Sequence, residues 1–283
     1  MGLVILAALC VAGFAILFRF FERFQVALVP AIAINYNVAF VCGLLVAPPW
    51  KAEGTKDLLL PAALLGSFFV MLFSLQGISA QRAGAARTTI AGRMSLVLTI
   101  SGTVFLFQEK LSATALIAIA LALVGLVLTS ITATTERTER SWMLPFLIFL
   151  GSGAADIGIT YIQRVLTTSA NASTFPTLCF GASAAVSASL LFARGEHNAL
   201  RHLRTWVGGV VLGVVNYASL LFLVQALDSG SLAASVIFPT MNIFAILFAT
   251  AAALLLFRER LSVRQWVGIV LCVSALALIM SGT

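Results

Sequence analysis

An all-α integral membrane protein of ten transmembrane helices in two inverted five-helix repeats is the fold class these 283 residues predict. Three observations carry it. Apolar stretches about long enough to cross a bilayer recur ten times, the charged residues fall almost wholly in short connections, and one turn sequence occurs twice, 150 residues apart. Spanning about 30 Å of hydrocarbon at about 1.5 Å per residue takes roughly 20 mostly apolar residues. Hydrocarbon offers the backbone no hydrogen bonds, so such runs become helices.

The stretches run over about 2–18, 26–47, 58–79, 85–108, 112–131, 143–164, 173–193, 206–226, 231–257 and 262–281. The first has no basic residues before it and no cleavage pattern, so it reads as a retained helix and not a signal peptide. The second carries Val29-Pro30 near its start and Asn35-Tyr36-Asn37 near its midpoint, and Pro48-Pro49-Trp50-Lys51 closes it. The fourth reads as one helix. It ends in Phe105-Leu106-Phe107-Gln108-Glu109-Lys110-Leu111-Ser112, with Ser112 placed to cap the fifth. The sixth follows the polar run Thr134 to Ser141, and the seventh opens near Phe175-Pro176. The eighth follows Ala193 to Arg204. The ninth contains Pro239 and ends in Leu255-Leu256-Phe257-Arg258-Glu259-Arg260-Leu261-Ser262, where Ser262 can cap the tenth.

The chain is 61% hydrophobic and 10% charged, against about 25% charged in a soluble domain. The net charge of +7 is scattered through connections, which suits bilayer orientation and not a phosphate groove, so nucleic acid is excluded as a partner. Cys10, Cys42, Cys179 and Cys272 lie within apolar stretches without CxxC spacing and read as small hydrophobes, neither metal ligands nor disulfide partners. His197 and His202 share one polar connection with no ligand cluster beside them, so no metal is expected. Trp50, Trp142, Trp206 and Trp266 fall at helix ends, as the interfacial belt requires. No connection is long enough for a separate soluble domain.

The duplicated turn divides the chain into 1–132 and 142–283, five helices each. An odd number of crossings per half sets the copies in opposite orientation, placing Glu109 and Glu259 at opposite faces. Inverted repeats are the mark of secondary transporters. The run Ala83 to Gly92 lacks the phosphate-loop pattern, so primary active transport is not expected and no cofactor is called for.

Phe-Gln-Glu-Lys-Leu-Ser (107–112) and Phe-Arg-Glu-Arg-Leu-Ser (257–262), each followed by an apolar helix, resemble the EamA-type repeat of the drug/metabolite transporter superfamily. The resemblance covers essentially the whole chain as two tandem repeats. Gly125 and Gly268, one in each following helix, do not align at the 150-residue offset and add little. The resemblance implies export or exchange of small metabolites such as amino acids, in a bacterial inner membrane, and leaves the substrate open.

Among the acids only Asp156 is deep within a stretch, and among the bases only Arg93. A charge at that depth costs about 2.5–3.5 kcal/mol on insertion scales and is functional or paired. Midpoints near residues 97 and 153 put the two on opposite sides of the bilayer centre, about 10 Å apart. That is long for a salt bridge and suits a zwitterion with its carboxylate toward Arg93 and its ammonium toward Asp156. Asp156 is also the deep carboxylate that can carry a coupling proton. A band of polar side chains accompanies them: Asn35, Tyr36, Asn37, Tyr161, Asn216, Tyr217 and Asn242. These nine residues form the expected substrate site, with interhelical hydrogen bonding, at about 0.6–2 kcal/mol each, as the structural alternative. Gly151, Gly153, Gly158, Gly208, Gly209 and Gly213 read as points of close helix approach.

The expected function is a secondary transporter that moves a small metabolite through a central cavity by alternating access. A translocase of lipid or lipid-linked metabolites is the first alternative. An intramembrane enzyme is the second, and a single deep Asp without an intramembrane His argues against it, so no catalytic residue is assigned. Connections after odd-numbered stretches hold 12 Lys and Arg, those after even-numbered ones 4. The positive-inside rule then places both termini outside, whereas the resemblance implies both inside.

Overall fold

A computed structural model describes residues 1–83, 85–109, 111–130, 143–256 and 261–282. Glu259, with Lys110, Trp142 and the connection carrying Arg137 and Arg140, lies outside the described residues. Eleven α-helices follow in order: α1 Gly2–Arg23, α2 Leu28–Val46, α3 Thr55–Ala83, α4 Ala85–Met94, α5 Leu96–Phe107, α6 Ala113–Ser130, α7 Met143–Tyr161, α8 Phe175–Ala193, α9 Leu203–Asp228, α10 Ala234–Leu256 and α11 Val263–Gly282. Among the described residues there is no strand, and nine spans are long and apolar enough to cross a membrane, α4 and α5 sharing one. The apolar α11 adds a tenth. The protein is an all-α multi-pass membrane protein.

Two boundaries depart most from the sequence reading. The first helix continues past residue 18 to Arg23, because its polar end can stay helical in the interface. It stops where Gln25 takes φ 50°, with Val26 N–H donating to Phe21 O at 2.9 Å and Gln25 N–H to Glu22 O at 3.2 Å. This is the paired bond pattern that closes a helix on a left-handed residue. The expected single helix over 85–108 is divided at Ser95, yet Ser95 N–H still donates to Ala91 O and Thr99 N–H to Ser95 O. It is therefore one span with a local turn. The caps follow the sequence more closely. Ser112 Oγ accepts from Ala115 N–H at 3.1 Å, while Ser262 and Gln265 form a reciprocal capping box in which Gln265 Oε1 accepts from Ser262 N–H at 2.9 Å.

Packing sorts the chain into two compact units, each drawing on both sequence halves. The first comprises Met1–Val70 and Tyr161–Ser229. Here α9 packs on α1 and α2, and α2 also packs on α8. Small residues make these approaches possible. A Cβ on Gly209 would meet Ile34 Cβ at 2.6 Å and one on Gly213 the Asn35 carbonyl at 2.7 Å, while at the crossing of α3 and α8 one on Gly66 would meet the Cys179 carbonyl at 2.2 Å. In hydrocarbon such close contact supplies the association that water would otherwise drive. Ser183 Oγ ties the same crossing by donating to Gly66 O at 2.8 Å.

The second unit comprises Met71–Thr160 and Gly230–Thr283. Its most extensive contact joins α6 to α11. There a Cβ on Gly125 would lie 2.8 Å from Gly268 O, and one on Gly268 2.8 Å from Gly125 O. The two glycines that the repeat offset leaves unaligned therefore face each other. The buried Cys272 also packs at this crossing, and all four cysteines are free thiols.

Candidate functional site

The intramembrane charges both belong to the second unit, and the span α4–α5 positions their partners. Arg93 and Thr99 are six residues apart, which is about 9 Å of rise and about 240° of rotation, so they serve different flanks. Arg93, in the last turn of α4, donates through Nη1 to Asn242 Oδ1 of α10. Asn242 is itself oriented by a 3.0 Å bond from its Nδ2 to Phe238 O. That bond commits one of the amide's two N–H donors within α10 and leaves its oxygen aimed at the guanidinium.

On the other flank Thr99 Oγ1 lies 3.0 Å from Asp156 Oδ2 and 3.2 Å from Ser95 O. Thr99 is fully buried, and α7 comes this close because Gly153 faces α5. A Cβ there would meet Leu98 Cβ at 2.7 Å and Ser95 O at 3.3 Å. The turn at Ser95 is held by its own hydroxyl, which donates to Gly92 O at 2.6 Å. Arg93 and Asp156 form no ion pair with each other; each ends on a neutral side chain.

The remaining predicted residues lie in the first unit. Asn216 Nδ2 donates to Asn35 Oδ1 at 3.1 Å, which joins α9 to α2. Tyr36 and Tyr217 lie on either side of Phe180, with centroid separations of 6.2 Å in both pairs. Tyr217 Oη is buried without a hydrogen-bond partner. Asn37 faces away from this cluster. It is exposed and donates to Ala33 O at 2.8 Å, because residues two apart on a helix point about 200° apart. Tyr161 ends α7 and is exposed. The structure thus brings together Asn35 with Asn216, Tyr36 with Tyr217 through Phe180, and Arg93 with Asn242.

Several residues escaped the sequence reading. Ser95, Thr99 and Thr103 are buried hydroxyls at a four-residue spacing along the α4–α5 span, a visible signal. Gln163 is buried in the π-helical turn Ile162–Leu166, and neither polar atom of its amide has a partner. Glu109 accepts the first N–H groups of α10 on its two oxygens, Ala234 N at 3.0 Å and Ser235 N at 3.1 Å. The acid of the duplicated turn therefore caps a helix remote in sequence, where a carboxylate suits the dipole.

Apolar spans that pair polar residues at depth define the class, a multi-pass helical membrane protein. Residues 142–281 match the EamA-like transporter family. A protein of Haemophilus influenzae (strain Rd) described as uncharacterized is 27% identical over 285 residues, covering 96% of this chain and 95% of its own. A crystal structure of a protein 15% identical to this one superposes with a TM-score of 0.71 over 98% of this chain and 94% of the other, a likeness of fold. The match supports an EamA-type membrane transporter of the drug/metabolite transporter superfamily.

Proposed function

We propose that the protein is a secondary transporter that exports a small amino-acid-like metabolite by alternating access. Arg93, oriented by Asn242, receives the substrate carboxylate. Asp156, oriented by Thr99, receives the ammonium group or a coupling proton. One observation carries the reading: a cation and an anion within membrane spans of one packing unit form no ion pair with each other, and each ends on a neutral side chain. Locking helices together would be done more cheaply by a direct pair, since a lone charge at depth costs about 2.5–3.5 kcal/mol. A pair held apart on neutral partners leaves capacity for a ligand of opposite polarity.

The test uses the purified chain in proteoliposomes, with metabolites first screened for thermal stabilisation in detergent. Arg93→Gln and Asp156→Asn should each abolish transport of the stabilising metabolite while expression, insertion and the melting temperature of the unliganded protein stay near wild type. Full transport by both variants would return these residues to a purely structural role.

A further inference from the structure

A groove in the first unit, distinct from the residues just described, runs between α2, α8 and the start of α9. Ala33, Ile34, Val38 and Val41 form one wall and Leu191 and Phe192 the other, and its volume is about 400 Å³. From Ala33 to Cys42 it follows α2 for about 14 Å at 1.5 Å per residue. Ile34 and Leu191 are buried at its floor, whereas Val41, Phe192 and Trp206 are exposed along its rim. Asn37 is the one side-chain amide in the lining, and one of its two N–H donors is already spent on Ala33 O. Sites for polar solutes need several converging polar groups. This groove has the lining of a hydrocarbon site.

Its mouth is cationic. Trp206 Nε1 donates to Leu200 O at 2.7 Å and holds the 3₁₀ turn Glu196–Arg201 against the start of α9. Arg194, Arg201 and Arg204 are exposed, and each stands within two residues of a groove-lining position, Phe192, Leu200 or Trp206. Arg204 also donates to Phe24 O at 3.3 Å, which brings the end of α1, with Arg23, to the same rim. Within 194–204 only Glu196 opposes the three arginines. Tryptophan marks the headgroup level, and basic clusters there attract anionic lipid.

We propose that this groove binds one acyl chain of an anionic phospholipid, with the phosphate held at Arg194 and Arg201. The proposal does not depend on the transport reading. Native mass spectrometry of the full chain in mild detergent, given phosphatidylglycerol or phosphatidylcholine of identical chains, tests it. One phosphatidylglycerol per chain should be retained, with a preference over phosphatidylcholine of roughly thirty-fold. Ala188→Trp, which fills the groove, should remove retention, and Arg194→Gln with Arg201→Gln should remove the preference. A second measurement needs no groove-filling variant: phosphatidylglycerol with brominated chains should quench tryptophan emission more deeply in wild type than in Trp206→Phe, in which Trp50, Trp142 and Trp266 remain. Equal retention of the two lipids by wild type, undiminished retention by Ala188→Trp, or quenching as deep in Trp206→Phe as in wild type would each overturn the proposal. So would a free fatty acid or a second copy of the chain in place of the phospholipid.

Discussion

Thr99 and Asp156 are joined by a hydrogen bond of 3.0 Å, and the same hydroxyl has a second acceptor, Ser95 O, at 3.2 Å. One hydroxyl carries one proton and cannot serve both acceptors at once. With Asp156 ionised, Thr99 donates to the carboxylate. With Asp156 protonated, the carboxyl donates to Thr99, which turns its own proton to Ser95 O. Both states keep their hydrogen bonds, so the arrangement tolerates a carboxyl that changes charge during a cycle.

Thr99→Ser should therefore transport at close to the wild-type rate, and Thr99→Val should be slower by roughly tenfold to a hundredfold. The estimate takes about 1.5–3 kcal/mol for a hydrogen bond to a charged group, at 1.4 kcal/mol per factor of ten. Rates in proteoliposomes decide it, with melting temperature as the control for folding. Wild-type rates in the valine variant would show that the hydroxyl plays no part.

Asn242 offers a charge test on the opposite flank. Asn242→Asp puts a carboxylate where the amide oxygen now meets Arg93, turning a neutral contact into an ion pair. A charge already compensated has nothing left to offer a substrate. Transport should fall to background while the melting temperature holds or rises, and Asn242→Ala should lose both activity and stability. A rise in transport by Asn242→Asp would contradict the assignment of Arg93 to substrate.

The sequence made Arg93 and Asp156 legible because a charge inside an apolar span stands out without any structure. Thr99 stayed hidden because hydroxyls in membrane helices commonly satisfy themselves on their own backbone, as Ser67 does on Ala63 O. Depth alone groups the band of polar residues. Helical rotation separates Asn37 from Asn35, and the 3.6-residue period could have shown it. The break at Ser95 has no proline to announce it, only a serine whose hydroxyl bends back to Gly92 O. Gly125 and Gly268 do not align in the repeat. Their contact joins unequal positions, so no repeat offset could reveal it.

That contact predicts a graded stability series. A methyl group on Gly125 would meet Cys272 Sγ at 2.7 Å and Gly268 O at 2.8 Å, and one on Gly66 would meet Cys179 O at 2.2 Å. Gly2 has open space around it. Overpacking a close contact costs about 1–3 kcal/mol. Gly66→Ala should thus be the most damaging, Gly125→Ala intermediate and Gly2→Ala neutral, as read by melting temperature in one detergent. Equal melting temperatures across the series would mean that the helices part without cost at these crossings.

Orientation is the remaining prediction, and it rests on charge alone. Twelve Lys and Arg residues fall after odd-numbered spans and four after even-numbered ones, with Arg93 inside the membrane. Positive residues in short connections resist translocation, so the richer side stays in the cytoplasm. Arg194, Arg201 and Arg204 are then cytoplasmic, and both chain ends lie outside. A C-terminal alkaline phosphatase fusion should be active, and a C-terminal green fluorescent protein fusion should be dark. The reverse pair of results would place both termini inside and show that the arginine-rich connections cross the membrane against their charge.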